Sequence, residues 1–262
     1  MKPEPSPFLL YEHTVQSPNW QVEYLPQFHE WLTGKKPVSM REDFCGTAQI
    51  SCEWVKLNPK NRAVGLDLDP EVIAYAKSVN VAALTSQQKK QVQILKQDVL
   101  KPTREKFDMI GAYNFSFFIF HERAELLKYA KAAYASLKSK GTFFLEIAGG
   151  EGFLESSSEG KTTQILGVGK VEKAWEQHQY DPITCVNDYS IHFKLPGGKW
   201  MMDAFTYHWR IWGMREVREI LIEAGFKRTV VLWEHEDNKD EWVPAEEAAS
   251  VHYWLAYIIG VK

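Results

Sequence analysis

Between residues 38 and 147, five short apolar runs are separated by segments of helical spacing or by turns. Val38 to Phe44 reads as a strand, and Thr47 to Lys56 as a helix. Ala63 to Asp67 is a second strand. Asp69 and Pro70 then supply an N-cap and a first-turn proline, and Val72, Ile73, Ala76 and Val79 follow at helical spacing. Val92 to Leu95, Phe107 to Tyr113 and Thr142 to Ile147 read as three more strands, with a helix from Glu122 to Lys138. This alternation permits few folds: it implies an α/β chain built on a parallel sheet covered on both faces.

The second half has a different pattern. Tyr189, Ile191, Phe193 and Leu195 alternate with polar residues, Pro196-Gly197-Gly198 makes a turn, and Lys199 to Arg210 reads as the return strand of a β-hairpin. Met214 to Ala224 is a helix stopped by Gly225, and Thr229–Glu234 and His252–Gly260 are two last strands. Residues 148–188 hold Gly, Ser and Lys clusters and read as a loop or partly helical cover. Seven of the ten Trp fall in residues 151–262. No linker separates two domains, so the expectation is one domain over 37–262 with an insertion at about 150–210.

Composition removes several classes of function. Lys plus Arg is 31 against 34 Asp plus Glu, a net charge of −3. With a pI of about 6.3, this argues against a nucleic-acid footprint, which needs a basic face. Three Cys without a C-x-x-C make no disulfide framework. No apolar run approaches the roughly 20 residues of a membrane span, and Met1 to Pro7 is polar and Pro-rich, unlike a targeting signal. A cytoplasmic protein is expected. His29-Glu30 and His121-Glu122 lack a second His at helical spacing, and the acidic run 234–241 lacks a calcium-loop register, so no metal is expected.

In an open parallel sheet, ligands bind beyond the carboxyl ends of the strands. The first strand ends in Arg41, Glu42 and Asp43, charges that packing in a covered strand does not explain. Either the strand stops at Met40 and they lie in solvent, or they face a polar ligand. The resumed tight-turn character of Phe44-Cys45-Gly46 favours the ligand. Gly46 would allow close approach to the backbone. Asp67 ends the second strand 21 residues after Gly46, the spacing of a carboxylate that grips ribose hydroxyls. Asp98 ends the third. A dinucleotide fingerprint would need glycine at 44 and 46 and Gly or Ala at 49. The chain has Phe44, Gly46 and Gln49, and Phe44 would clash with a pyrophosphate.

Glu42-x-Phe44-x-Gly46-x-Ala48, with Cys45-Gly46-Thr47 at its centre, resembles the acid-x-G-x-G-x-G motif of class I S-adenosylmethionine-dependent methyltransferases. Gly65 to Pro70 is similar to that family's second segment, Gln97-Asp98-Val99 to its third, and Leu221 to Phe226 to its helix before the last strands. Tyr11-Glu12 to Ser17 and Arg41 to Thr47 resemble methyltransferases of unassigned substrate. The resemblance implies a Rossmann-like doubly wound sheet, mostly parallel with an antiparallel last strand, and S-adenosylmethionine as cofactor. It implies Asp67, beside Leu68, at the ribose, Asp98 and the Val99 N–H at the adenine, and Gly46 at the amino-acid tail. Phe44 would pack on the methionine arm, and Asn114 would sit near the methyl. Side-chain chemistry adds Arg41 as partner of the cofactor carboxylate, Tyr11 as part of an N-terminal lid (residues 1–36), and His208 as a base. The acceptor is expected to be a small molecule, with some of Trp200, Trp209 and Trp212 as a wall for it. Two rivals remain: an NAD-dependent oxidoreductase, disfavoured by the glycine mismatch, and a non-catalytic module that binds the same cofactor.

Overall fold

The computed structural model describes residues 4–234 and 242–262, so residues 235–241 of the acidic run lie outside the described residues. Two helices open the chain, α1 (Pro7–Thr14) and α2 (Pro18–Thr33). Ser6 caps α1 by accepting the Phe8 N–H, and Gly34, at φ 72°, ends α2 in the left-handed conformation. Then come β1 (Ser39–Asp43), α3 (Gln49–Leu57), β2 (Arg62–Asp67), α4 (Pro70–Ala76), α5 (Ser86–Lys89) and β3 (Val92–Lys96). As expected, the Asp69 carboxylate caps α4, accepting the Glu71 N–H at 2.8 Å. β4 (Phe107–Ala112), α6 (Arg123–Ser136) and β5 (Leu137–Gly149) complete the first half.

The second half holds β6 (Ser157–Ile165), β7 (Gly169–Gln177), β8 (Val186–Lys194), β9 (Trp200–Arg210), α7 (Met214–Glu223), β10 (Arg228–Glu234), β11 (Trp242–Ala245) and β12 (Trp254–Val261). The central sheet runs β11-β10-β12-β5-β4-β1-β2-β3. β1 to β5 pair in parallel, while β12 runs antiparallel to both β5 and β10. This is the expected mostly parallel, doubly wound sheet with an antiparallel last strand. A short antiparallel edge strand, β11, adds to it.

The insertion is larger than the expected hairpin. Residues read as a loop or helical cover form β6 and β7, which extend β8 and β9 into a four-stranded antiparallel sheet in the order β6-β7-β8-β9. The N-terminal segment read as one lid divides in two. In α2, His29 Nδ1 meets Thr142 Oγ1 at 2.8 Å and Val22 and Leu25 join the core beneath the central sheet. α1 instead docks on the inserted sheet, where Leu10 is fully buried with Ile165, Val171 and Ile191. Burial of one such leucine contributes about 1.5–3 kcal/mol to that docking. Among the described residues, no helix is long and apolar enough to cross a membrane.

Candidate active site

The turn after β1 carries three left-handed residues in alternation: Phe44 at φ 55°, Gly46 at 52° and Ala48 at 58°. These are the three glycine positions of the motif, so the backbone keeps the glycine shape where the side chains have changed. That shape costs an L-residue roughly 1–2 kcal/mol. Packing offsets it at both positions. The Phe44 ring meets Phe120 and Tyr129 edge-on at 5.9 and 5.7 Å, and Ala48 is fully buried beside Cys45, Ile73, Ala76 and Ile94. Gly65 on β2 makes room for the turn, since a Cβ there would lie 2.8 Å from Cys45 Sγ. A Cβ on Gly46 would meet nothing within 4 Å. Its open side faces a cavity.

The three charges of β1 are neither in solvent nor offered to a ligand. Arg41 is fully buried, and its Nε and Nη2 donate to the two oxygens of Asp43 at 2.7 and 2.8 Å. Tyr129 donates to the same carboxylate at 2.8 Å. The expected pairing of Arg41 with a cofactor carboxylate therefore fails, because its guanidinium is already answered within the layer. Glu42 accepts both the N–H and the hydroxyl of Ser51, at 2.8 and 2.5 Å, and so caps the first turn of α3. Burial pushes the Glu42 carboxyl up to about 7, against the pull of those two hydrogen bonds. Its contact is with the helix, and its effect on the turn is to anchor it.

Asp67 stands at the end of β2 as expected. One oxygen accepts the Gly46 N–H at 2.8 Å, and the other accepts the N–H groups of Leu68 and Asp69 at 2.7 and 3.0 Å. A carboxylate has about four lone-pair sites, so acceptor capacity remains for a hydroxyl. The Leu68 side chain beside it is 57% exposed, an apolar surface at the strand ends. Asp98 follows β3 and accepts the Leu100 N–H at 2.9 Å, with Val99 buried in the core next to it.

A cavity of about 260 Å³ opens at the carboxyl ends of β1 and β4. Phe44, Gly46, Thr47, Tyr113 and Asn114 form its floor, Phe8 and Tyr11 of α1 its roof, and Phe205, Tyr207 and Trp209 of β9 its wall. Asn114 is left-handed at φ 50°, and its N–H donates to Glu146 at 2.7 Å. Burial raises the Glu146 carboxyl to about 7. Roof and wall are joined where the Tyr207 hydroxyl bonds that of Tyr11; burial lifts Tyr11 to about 12 and pushes Tyr207 well above the ordinary tyrosine range. Three side-chain atoms of cavity residues are buried without a partner: Gln16 Oε1, Thr47 Oγ1 and the Tyr113 hydroxyl. Buried polar atoms are seldom left so.

His208 takes no part in this cavity. Along β9, Phe205, Tyr207 and Trp209 point inward, so period two turns His208 outward. Its side chain is 64% exposed and bonds Asp188 at 2.6 Å. The role of base falls away. Of the three Trp expected as an acceptor wall, only Trp209 lines the cavity. Trp212 donates its ring N–H to Phe120 O beneath Arg210, and Trp200 lies near Lys194 at the far end of the strand. Phe205 and Tyr207 are legible in the same alternation and Thr47 in the Cys45-Gly46-Thr47 motif, whereas Gln16 and Tyr113 carry no sequence signal. Among the described residues, no group of His, Cys, Asp or Glu is placed to hold a metal ion.

Residues 43–145 match the family model described as a methyltransferase domain. No protein of curated function matches the sequence. Several solved structures share the fold over nearly the whole chain. DesVI of Streptomyces venezuelae has a TM-score of 0.72 at 13% identity, over 97% of this chain and 95% of its own. CalS10 of Micromonospora echinaspora, an amino pentose methyltransferase solved with S-adenosylmethionine bound, has 0.70 at 14%, over 96% and 94%. The sugar N-methyltransferase KedS8 from a Streptoalloteichus species has 0.69 at 16%, over 97% and 91%. At these identities the likeness is one of fold: a Rossmann-like methyltransferase architecture, with the family match falling on the half that carries the glycine-shaped turn and Asp67.

Proposed function

We propose that this chain is an S-adenosylmethionine-dependent methyltransferase that methylates a nitrogen of a small-molecule acceptor. The observation that carries the reading is the cavity against Gly46, where a glycine-shaped turn leads into an aromatic chamber. The residues fit the cofactor. Gly46 leaves open the space that a close-lying chain would fill. Gln16 and Thr47, which line the cavity beside Gly46, suit the ammonium and carboxylate of an amino-acid tail. Asp67 and Asp98 suit ribose and adenine, and the exposed Leu68 suits an adenine face. When bound, the sulfonium supplies an already activated methyl group.

What the protein adds is alignment and a field. Holding two reactants in line is worth about 7–11 kcal/mol. Tyr11 and Tyr207 fix the roof against the wall, and Asn114 and Ser116 edge the space where an acceptor would lie. Aromatic faces of Phe44, Tyr113, Phe205, Tyr207 and Trp209 surround it, and such faces attract cations. A positive charge is therefore favoured in the chamber both before transfer, on sulfur, and after it, on an alkylated nitrogen. The described residues that line the chamber include no carboxylate, imidazole or amine, and its tyrosines are pushed up by burial. This lining lacks a base that could ionise an alcohol near neutral pH. An amine that has lost its proton to solvent before it enters already carries its lone pair and needs no base in the chamber.

The test is label transfer from methyl-tritiated S-adenosylmethionine to matched panels of small amines and alcohols. Label on amines, with S-adenosylhomocysteine formed in step, supports the reading. Label on alcohols alone refutes the nitrogen acceptor, and no transfer to any acceptor together with no cofactor binding refutes the whole.

A further inference from the structure

A second cavity, of about 630 Å³, lies behind the first. Its floor is the inward face of β6 and β7, and its far side is the end of β12. The two spaces stand back to back across a thin layer. Val15 faces the outer one and Gln16 the inner, while Phe115 faces the outer one between Asn114 and Ser116, which face the inner. Trp175, in the outer cavity, stands 6.1 Å from Tyr207 and 6.2 Å from Trp209, both in the inner one. The outer volume lies within the roughly 300–1,000 Å³ of small-molecule sites, and the inner one just below it.

The outer cavity is apolar on the side toward the inner one, where Phe115, Phe153 and Trp175 belong to the aromatic layer between the two. Further along β6 and β7 it is charged. There Lys161 and Lys173 are direct cross-strand partners, and both line the cavity. Like charges directly opposite in a ladder are destabilising. Glu159 lies two residues from Lys161 on the same face, opposite Trp175 rather than opposite Lys173, and Glu234 enters from β10. Neither lysine forms an ion pair with a carboxylate among the described residues. Burial and Lys161 together hold the Lys173 ammonium below its ordinary range, with Glu159 opposing them.

We infer that the outer cavity seats the body of the acceptor, and that Lys161 and Lys173 hold an anionic group carried on that body. The acceptor is thus an amphipathic small anion: an apolar or aromatic portion against Trp175 and Phe153, a carboxylate, sulfonate or phosphate between the lysines, and a reacting end that reaches the inner chamber once the Phe115 side chain, which separates the two spaces, turns aside. Lys173 is a specificity-determining residue here, not a catalytic one. The inference rests on the methyltransferase reading for the identity of the ligand as an acceptor. The anion site itself is tested separately from that reading.

The probes are 8-anilinonaphthalene-1-sulfonate and its uncharged counterpart N-phenyl-1-naphthylamine, which share the aromatic body and differ in the sulfonate. Fluorescence titration of the whole chain is expected to give at least tenfold tighter binding of the sulfonate. Lys173→Met, which keeps the aliphatic stem, is expected to remove about tenfold of that preference and leave the uncharged probe unchanged. Lys161→Met is expected to remove less, because Lys161 is exposed. Equal affinity of the two probes for the unmodified chain, or an unchanged preference in Lys173→Met, overturns the inference. Calorimetric titration with S-adenosylhomocysteine is run on the same samples. Unchanged cofactor binding in Lys173→Met is expected, and its loss would overturn the placing of Lys173 outside the cofactor site. Failure of the unmodified chain to bind S-adenosylhomocysteine sinks the methyltransferase reading and with it the acceptor, whatever the probes report of the anion site.

Discussion

β1 and the cavity just beyond it both bury polar groups, and they treat them in opposite ways. In β1 every charge is answered: Arg41 by Asp43, Asp43 also by Tyr129, Glu42 by Ser51. Around the cavity, Gln16 Oε1, Thr47 Oγ1 and the Tyr113 hydroxyl are not. A buried polar group without a partner costs about 1–3 kcal/mol, and such atoms also occur away from the cavity, at Trp20, Gln21, Asn187 and Arg210 among others. By residue type, the charges of β1 look like the ligand-binding set. By geometry they are scaffold, and the proposed site is lined instead by Gly46, Thr47 and the aromatic residues of the cavity.

The largest effect that would break this comparison belongs to Arg41. Arg41→Ala leaves Asp43 buried without its cation, which is expected to destabilise the fold by about 3–5 kcal/mol. Urea unfolding measures it, and a loss below about 1 kcal/mol would mean that the charge is free for a ligand after all. Next is Glu42, whose carboxyl is raised in the folded state from 4.5 to about 7. The folded chain then holds more protons than the unfolded one between those values. Glu42's contribution is fully present below about pH 4.5 and is lost as pH rises through about 7. Glu42→Gln removes that loss, so the variant is expected to gain on the parent by up to roughly 3 kcal/mol between pH 5 and pH 8. A gap that does not change with pH would show that Glu42 is ionised throughout.

Tyr113→Phe acts on the other side of the comparison. Deleting an unpartnered hydroxyl is expected to leave the fold as stable as before or stabilise it by about 1 kcal/mol, while weakening S-adenosylhomocysteine severalfold. A destabilised fold with unchanged affinity would move Tyr113 from site to scaffold. The smallest effect is expected of His208→Ala, which faces away from the cavity: methyl transfer should stay within about twofold of the parent, a margin under about 0.5 kcal/mol.

Much of the parallel half was legible because its strands are covered on both faces and read as apolar runs that end in turns. Asp69 and Gly225 did at their positions what their chemistry predicts. β6 and β7 were hidden for a reason tied to the second cavity. Their inward positions hold Glu159, Lys161, Lys173 and Gln177, so the apolar period of two that marks a half-buried strand is missing. At the site, Gly46 and Asp67 were readable from spacing, since a tight turn and a strand end are local. Arg41 was misread because a partner two residues away was not weighed against one outside the chain. His208 sits between Tyr207 and Trp209 in sequence, but one step along a strand carries a side chain to the other face, and it is the exposed strand histidine that its position equally allows. The unpartnered atoms of Gln16, Thr47 and Tyr113 come from three segments, and their lack of partners exists only in the folded chain.

Cofactor binding by the turn at Gly46 and the carboxylate of Asp67 is the proposal on which the rest depends. Isothermal titration of the unmodified chain and of Asp67→Ala with S-adenosylmethionine measures it. One-to-one binding in the micromolar range is expected, weakened about 10–100-fold in the variant, as loss of a charge-assisted hydrogen bond implies. No binding by the unmodified chain, or equal affinity in a folded variant, would contradict it.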